Sequence, residues 1–127
     1  MKVYVAGKFE KKEKVLEIYE ELKKLKYEIS YDWTGHRNIK PYEENQELAR
    51  KYSENETKGI LDCDIFIYLS DEKGTTLPME FGFALALNQL NKKPQIYLVG
   101  EFNKKSPWFF HPSVNRVDSI EEVLENI

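Results

Sequence analysis

Residues 64–90 read DIFIYLSDEKGTTLPMEFGFALALNQL, and this stretch carries the strongest pattern in the chain. Residues 65–69 (IFIYL) are apolar without alternation, which is typical of a strand buried on both faces of a parallel sheet. A polar turn follows. We expect Pro78 to take the first position of a helix that runs from Met79 to about Leu90 and is apolar nearly all round. A buried strand joined to a buried helix favours an α/β fold.

The rest of the chain continues this alternation of strands and helices. Short apolar runs predict further strands at residues 3–7, 28–33 and 95–99. Helical spacing of apolar residues predicts one helix over residues 15–25, and Pro41 is placed to open another that runs to about Leu61. Residues 101–117 show no regular pattern.

A capping box at Ser119 and Glu122 starts a last short helix. The order of elements therefore predicts a single domain over residues 1–127. We expect an α/β three-layer sandwich with a small, mostly parallel sheet of the Rossmann- or flavodoxin-like kind. Ligands of such sheets bind beyond the carboxyl ends of the strands, where the strand order reverses. That rule selects the loops that follow Gly7, Trp33, Leu69 and Gly100.

Composition narrows the class of protein. The chain has 127 residues, of which 41% are hydrophobic, so it can bury one core. Its net charge of −3 argues against a protein that coats nucleic acid, and its single cysteine, Cys63, excludes an internal disulfide. The first apolar run is too short for a signal peptide, and none is long enough to span a membrane. We expect a soluble, cytoplasmic protein with no nucleic-acid or membrane partner.

Motifs for common cofactors are missing from the sequence. It has no GxxxxGK[ST] phosphate loop, no GxGxxG dinucleotide fingerprint and no GxSxG nucleophile elbow. His36 and His111 have no cysteine or acidic cluster at metal-ligand spacing. We therefore expect neither a cofactor nor a metal.

Glu80 is the most informative residue, because it is the only charged residue between Met79 and Leu87. A carboxylate in so apolar a helix is costly unless it is paired or functional. If Pro78 is the first helical residue, Glu80 lies in the first turn, where the helix dipole stabilises an anion. Held there in a cleft, it fits a nucleophile that attacks a sugar carbon. A glutamate that only complements the dipole fits the pattern equally well.

Glu56 and Tyr4 are the other two candidates for catalysis. Glu56 belongs to a stripe at four-residue steps whose other members resemble core residues, namely Leu48, Tyr52 and Ile60. This position suggests a buried carboxyl of raised pKa that donates a proton to a leaving group. A solvated glutamate at the edge of the stripe is the alternative. Tyr4 lies in the first strand, where its hydroxyl could orient a carboxylate or its ring could simply belong to the core.

Three of the selected loops supply candidate substrate contacts. The loop after the first strand offers a small residue for close approach of a ligand, followed by a cation that is either a phosphate ligand or a solvated surface lysine. The second offers an acid for a sugar hydroxyl and a flat ring for a base. The third offers short side chains and backbone N–H groups for a 5′-phosphate. In chain order these residues are Gly7, Lys8 and Phe9, then Asp32 and Trp33, then Gly74, Thr75 and Thr76.

Two further features are interpreted as structural. Asp64 directly precedes a strand and is expected to begin or cap it. The run WFFHP at residues 108–112 is bulky for a loop and predicts a subunit interface or the wall of a pocket. Together with the apolar third helix, it predicts a homodimer or a higher even-numbered oligomer.

With these residues collected, the chain resembles the nucleoside 2′-deoxyribosyltransferase superfamily, which includes the deoxynucleoside 5′-monophosphate N-glycosidases. The most specific feature is a GT turn followed by ExGxAxA. The resemblance implies that Glu80 is the nucleophile and that Tyr4 orients it. Glu56 falls where many members carry an aspartate in the pocket. The segments that carry the resemblance are residues 3–7 (VYVAG), 64–69 (DIFIYL) and 74–87 (GTTLPMEFGFALAL).

The resemblance also implies that a neighbouring subunit completes the site, with residues 108–115 as the expected source. The function that follows is cleavage, by hydrolysis or transfer, of the N-glycosidic bond of a nucleoside, a deoxynucleoside or its 5′-monophosphate. The reaction would use a glutamate nucleophile and a covalent glycosyl-enzyme. Two alternatives stay open: a non-catalytic nucleotide-binding or sensing module of the same fold, and a defence domain that cleaves NAD or a nucleotide.

Overall fold

A parallel sheet forms the centre of the molecule, in a computed structural model that describes residues 1–72 and 76–127. Within these residues its spatial order is β2-β1-β3-β4-β5, and every neighbouring pair is parallel. The expected α/β architecture and mostly parallel sheet are confirmed. The strands, in chain order, are β1 (Lys2–Ala6), β2 (Glu28–Ile29), β3 (Ile65–Leu69), β4 (Gln95–Val99) and β5 (Val114–Val117).

Helices cover both faces of this sheet. In the described part of the chain they are α1 (Lys12–Lys24), α2 (Gln46–Asp62), α3 (Thr76–Asn91) and α4 (Ile120–Asn126). α2 packs against α3 on one face, whereas α1 and α4 border a common groove on the other. None of these described helices is both long enough and apolar enough to cross a membrane.

The strand order reverses between β1 and β3. The chain leaves β1 toward the outer strand β2 and then returns, through α2, to the other side of β1. Every residue of β3 is at most 6% exposed, as the unbroken apolar run predicts. Ligands of open α/β sheets bind where the strand order reverses. We therefore expect the functional site at the carboxyl ends of β1 and β3, beside the α2–α3 layer.

The second strand is shorter than the prediction of residues 28–33. Only Glu28–Ile29 pair with β1. Trp33 then turns inward, and its indole Nε1–H donates a hydrogen bond to the carbonyl of Val5 at 2.6 Å. The indole N–H thus bonds to the carbonyl oxygen of β1 that the backbone of a longer β2 would have bonded.

The expectation that residues 101–117 are irregular is wrong at their end. Val114–Val117 form β5, which pairs with β4 from Ile96 onward. Asn115 and Arg116 within it are exposed. A short edge strand with two polar residues has no apolar run, which is why the pattern did not reveal it.

Two helices begin elsewhere than predicted. α2 starts at Gln46 rather than near Pro41, because a 3₁₀ turn at Tyr42–Glu44 intervenes. In α3, Pro78 is the third residue, which is tolerated because the first N–H groups of a helix have no partner within it. Glu80 therefore lies in the second turn, and the expectation that it lies in the first turn is wrong.

Two interpretations of helix and strand starts are confirmed. The Ser119 hydroxyl accepts a hydrogen bond from the backbone N–H of Glu122 at 3.4 Å, as the capping box requires. Asp64 accepts a hydrogen bond from the backbone N–H of Lys2 at 2.8 Å and so ties the start of β3 to the start of β1.

Candidate active site

Tyr4 lies in the middle of β1 and is fully buried under α2. Its ring stacks on Phe66 of β3, with centroids 5.9 Å apart. In the described part of the chain its hydroxyl has no hydrogen-bond partner. Burial raises the pKa of this hydroxyl well above the ordinary value, and the negative charges of Glu80 and Glu56 raise it further. The Tyr4 hydroxyl is thus a buried donor close to both carboxyls.

Gly59 allows α2 to come this close to the sheet. A Cβ atom at this position would lie 2.6 Å from Cβ of Tyr31 and 3.1 Å from the ring of Tyr4. Any larger side chain would push the helix outward or displace Tyr4. The glycine therefore sets the depth at which Glu56, one turn earlier on α2, meets the site.

Glu80 is brought to the same place by α3. Burial raises the pKa of its carboxyl to about 8, and the charge of Glu56 adds to this effect. The same Glu80 charge acts on Tyr68 of β3, whose pKa is raised to about 12, first by burial and then by Glu80. Glu80 is thus a largely buried acid beside the central strands, although the dipole of the first helical turn does not stabilise it.

Glu56 faces inward from α2, so the structure agrees with the buried position suggested by the stripe. Its side chain is 23% exposed. Burial raises the pKa of its carboxyl to about 7. Together, Glu56, Glu80 and Tyr4 form one cluster supplied by α2, α3 and β1.

The two carboxyls of this cluster are unusual because no lysine or arginine of the described chain neutralises them. Among the described residues, no lysine or arginine lies within ion-pair distance of Glu56 or Glu80. Two interacting carboxyls with raised pKa values hold one proton between them over the range that separates their ionisations. The pair then offers one carboxylate, which can attack, and one acid, which can donate a proton.

His36 lies next to this pair of carboxyls. From the sequence alone it is considered only as a metal ligand, and that role is rejected. Nδ1 of His36 lies 3.7 Å from Oε1 of Glu56, and Nε2 lies 2.6 Å from the Tyr31 hydroxyl. The imidazole also stacks on Tyr52, with ring centroids 3.7 Å apart. One signal could have found His36, since it follows Trp33 in one of the loops that the ligand-binding rule selected.

Asp32 and Trp33 are predicted substrate contacts that the structure already provides with partners. Asp32 is exposed, and its Oδ1 accepts hydrogen bonds from the backbone N–H and the hydroxyl of Thr34, at 2.8 and 2.5 Å. Burial lowers the pKa of the His36 ring, and the negative charge of Asp32 opposes part of this shift. Trp33 is 6% exposed, and its N–H is bonded to β1. Asp32 therefore borders the site, whereas the indole belongs to the core.

The loop after β1 places Lys8 in an ion pair rather than free in solvent. Its Nζ lies 3.3 Å from Oδ1 of Asp71, which follows β3. Lys11 reaches the same carboxylate at 3.7 Å and donates a hydrogen bond to the carbonyl of Ser70 at 3.1 Å. Asp71, which the sequence analysis did not select, thus joins the loops after β1 and β3.

The other predicted contacts are placed as follows. A Cβ atom on Gly7 would lie 3.3 Å from both Leu69 and Val15, so the glycine permits close packing rather than leaving open space. Phe9 is 40% exposed. Gly74, Thr75 and the side chain of Thr76 lie outside the described residues. Among the described residues, no group of three or more His, Cys, Asp or Glu side chains is placed to hold a metal ion.

An apolar groove of about 460 Å³ runs between α3 and the 3₁₀ turn at Pro107–Phe110. Trp108 and Phe110 line it and are 63% and 54% exposed. Phe109, between them, packs its ring edge against Phe81 of α3 instead. Of the three aromatic rings, Phe109 therefore packs on α3, whereas Trp108 and Phe110 are exposed.

Comparison with known proteins identifies the fold but no sequence family. No family model matches the chain, and no curated protein matches it at a significant level. Among solved structures, the chain is similar to the Clostridium botulinum CMP N-glycosidase BcmB, with a TM-score of 0.68 over 99% of this chain and 97% of the other. The two sequences are 16% identical.

This likeness establishes a shared fold over nearly the full length of both chains. An N-glycosidase is one of the classes of protein that the motif resemblance includes. The fold expected from residues 3–7, 64–69 and 74–87 is therefore confirmed by an independent comparison of structures.

Proposed function

We propose that this protein cleaves the N-glycosidic bond of a nucleoside or nucleotide, with Glu80 as nucleophile. The observation that carries the proposal is the buried pair of Glu80 and Glu56 beside the Tyr4 hydroxyl. No lysine or arginine of the described residues neutralises the pair. Such a pair costs stability, and perturbed carboxyls of this kind cluster at catalytic sites. The likeness to a CMP N-glycosidase supports the same class of reaction.

The first half of the reaction uses the pair in its singly protonated form, in the tautomer whose proton is on Glu56. This tautomer is the less populated of the two, because the pKa of Glu80 is the higher. The Glu80 carboxylate attacks C1′ of the sugar while the bond from C1′ to the base nitrogen breaks. The electrons of that bond go to the base, which takes a proton from the Glu56 carboxyl. The products are free base and a glycosyl ester on Glu80, as in retaining glycosidases.

The second half releases the sugar and restores the pair. Water, or a second base, attacks C1′ and displaces the Glu80 carboxylate, while Glu56 accepts the proton of the attacking group. The Tyr4 hydroxyl donates a hydrogen bond to the departing carboxylate and keeps it aimed at C1′. Its lack of another partner in the described chain suits it for this role.

A 5′-phosphate on the substrate would lie near the loops after β1 and β3. Lys8 supplies a cation there. Asp71 already holds Lys8 at 3.3 Å. A phosphate with nearly two negative charges competes with this carboxylate for the lysine.

A second copy of the chain is the proposed cover for the groove between α3 and Pro107–Phe110. The exposed rings of Trp108 and Phe110 line it, and the same helix α3 also exposes Met79 and Leu90. Apolar surface of this kind is typical of subunit interfaces, so we propose a homodimer or a higher even-numbered oligomer. Light scattering at micromolar concentration measures the mass, and a monomeric mass would reject the assembly.

Base release from a panel of substrates tests the proposed reaction. The protein is incubated with nucleosides, deoxynucleosides and their 5′-monophosphates, with and without added free adenine, and the products are separated by chromatography. Release of base without added acceptor identifies a hydrolase, whereas formation of a new nucleoside identifies a transferase. An enzyme-free reaction at the same pH provides the background rate.

Two other outcomes of this panel correspond to other functions. Binding of a nucleotide without turnover would replace the proposal with a non-catalytic sensing module. Cleavage of NAD in place of nucleosides would favour the defence-domain alternative, which also uses a glutamate in the pocket.

A further inference from the structure

His36 lies between two groups that its ring nitrogens face. Nε2 is 2.6 Å from the Tyr31 hydroxyl, and Nδ1 is 3.7 Å from Oε1 of Glu56. The imidazole lies flat on Tyr52, with the two ring planes 4° apart. This stacking fixes the plane of the imidazole, so its two nitrogens keep these directions.

Hydrogen-bond accounting determines where the imidazole proton lies. Burial lowers the pKa of His36, so the ring is neutral at pH 7 and has one N–H and one acceptor nitrogen. Which of the two atoms donates in the 2.6 Å contact between the Tyr31 hydroxyl and Nε2 depends on the tautomer; we assign the hydroxyl as donor, which leaves the N–H on Nδ1. That nitrogen faces Glu56. Tyr31 thus selects the tautomer that presents a donor to the carboxyl.

The contact between His36 and Glu56 strengthens when Glu56 is ionised. A separation of 3.7 Å is longer than a hydrogen bond, and a rotation of the carboxyl or one bridging water closes it. An N–H donor binds a carboxylate more strongly than a neutral acid. The donor on His36 therefore matters most after Glu56 has released its proton.

No other described group can offset the charge on Glu56 in this way. Within the described ranges, no lysine or arginine lies within ion-pair distance of it. The hydroxyl of Tyr4 is assigned to Glu80 by the proposed reaction. The titratable groups that face His36 or Glu56 are Tyr4 of β1, Tyr31 and Asp32 of the segment after β2, Tyr52 of α2 and Glu80 of α3.

We propose, on the basis of the proposed N-glycosidic cleavage, that His36 is a positioning residue for Glu56. Its Nδ1–H aims the carboxyl at the leaving base and stabilises the carboxylate that remains when the proton moves. The O–H bond of Glu56 breaks, the proton goes to the base nitrogen, and the negative charge stays on Glu56 beside Nδ1. The attacking water later returns a proton to Glu56. His36 itself neither gains nor loses a proton.

Three variants test this role through the pH dependence of kcat. His36→Leu removes both ring nitrogens, His36→Asn keeps an N–H donor near the position of Nδ1, and Tyr52→Phe keeps the stacking ring as a matched control. Activity fails at alkaline pH when the pair loses its second proton. Loss of a donor to the Glu56 carboxylate raises its pKa, so this alkaline limb moves to higher pH in His36→Leu.

We expect His36→Leu to lower kcat roughly ten- to hundredfold with KM within about twofold. His36→Asn should restore most of kcat and the wild-type position of the limb, and Tyr52→Phe should match the wild type in both. The proposal is overturned by an alkaline limb that stays in place in His36→Leu or that moves equally in Tyr52→Phe. Thermal melting shows whether each variant is folded.

A second measurement separates this proposal from the proposed function. The ¹³C signal of the Glu56 carboxyl is titrated by NMR in the wild type and in the same three variants, with no substrate present. An upward shift of the titration in His36→Leu alone supports the contact even if no substrate of the panel is cleaved. If His36→Leu does not fold, Tyr31→Phe takes its place, and an unchanged Glu56 titration in it counts against the proposal.

Discussion

The protein holds carboxyl groups in two opposite electrostatic environments, one at the amino ends of the strands and one in the helical layer that covers the sheet. At the amino edge, Asp64 accepts a hydrogen bond from the backbone N–H of Lys2 at 2.8 Å and has Lys93 Nζ at 3.5 Å. The hydrogen bond from Lys2 is the main reason that the pKa of Asp64 lies below its ordinary value. In the α2–α3 layer, burial raises the pKa of Glu56 to about 7 and of Glu80 to about 8.

The difference shows what partners do to the same chemical group. Asp64 is partly exposed and bonded, so its charge stabilises the start of β3. Glu56 and Glu80 are more deeply buried, and no described cation offsets their charge. A fold that required only stability would not keep the second arrangement. The comparison therefore separates a structural acid from the two acids that we propose act in catalysis.

The largest expected effect is on catalysis at Glu80. Glu80→Gln should lower the rate of base release by at least about a thousandfold, because the amide cannot form the glycosyl ester. Asp64→Asn, the equivalent change at the amino edge, should leave kcat within about twofold of the wild type because Asp64 lies away from the pair. Activity of Glu80→Gln within a few-fold of the wild type would exclude Glu80 as nucleophile.

The second effect is a gain of stability in the same variant at alkaline pH. The folded-state pKa of Glu80, about 8, lies above its unfolded value of 4.5, so folded wild-type protein binds more protons and loses stability as the pH rises from 4.5 to 8. Glutamine does not ionise. Glu80→Gln should therefore exceed the wild type by roughly 2–4 kcal/mol at pH 8.5 and match it near pH 4.5.

Urea unfolding at these two pH values measures that gain. Glu80→Ala serves as the control, because it removes the charge together with the packing of the side chain and should recover less stability. Equal stability of wild type and Glu80→Gln at both pH values would mean that the carboxyl is not buried as a charge.

The third effect concerns Lys8, whose charge is intermediate between these two environments: among the described residues, it forms an ion pair with Asp71. If the substrate carries a 5′-phosphate, Lys8→Ala should raise KM for the monophosphate roughly tenfold while changing KM for the matching nucleoside little. Steady-state kinetics on the two substrates measures this. Equal effects on both would refute the phosphate contact and favour a free nucleoside as substrate.

The smallest effect is on stability at Asp64. Because its folded-state pKa lies below the unfolded value of 3.8, its charge contributes stability above that pH, and this is lost as the pH falls through the folded pKa. Asp64→Asn keeps an acceptor for Lys2 but loses the charge, so we expect a loss of about 1 kcal/mol at pH 7. The same measurement near pH 2 should show almost no difference, whereas a constant loss at both values would point to altered packing.

Part of the site was visible in the sequence because it breaks a pattern. Glu80 is conspicuous as the single charge in an apolar helix, and Glu56 interrupts an inward stripe on α2. Both positions follow from helical spacing, which is a local property of the chain. The sequence did not determine the start of α3: the helix includes Pro78 as its third residue, so Glu80 is two residues further along than expected.

The neighbours of the pair were not visible in this way. His36 and Tyr31 belong to a polar segment without periodicity, and Tyr52 was only one member of a stripe. The 2.6 Å contact between Tyr31 and His36 lies within that segment. The 3.7 Å contact of His36 with Glu56 arises because α2 returns across β1, and because Gly59 lets the helix approach Tyr31 and Tyr4. No spacing along the chain encodes that approach.

The sequence by itself determined the alternation of buried strands and helices, and with it the parallel sheet. It also determined that Glu56 and Glu80 lie on the inward sides of their helices. Hydrophobic periodicity carries this information because burial acts on each element separately. The tertiary structure alone decided that Trp33 bonds to β1, that Asp71 holds Lys8, and that a neutral histidine faces Glu56. These contacts join residues far apart in the chain, and their energies depend on distance, burial and the groups nearby, which exist only after the elements have packed.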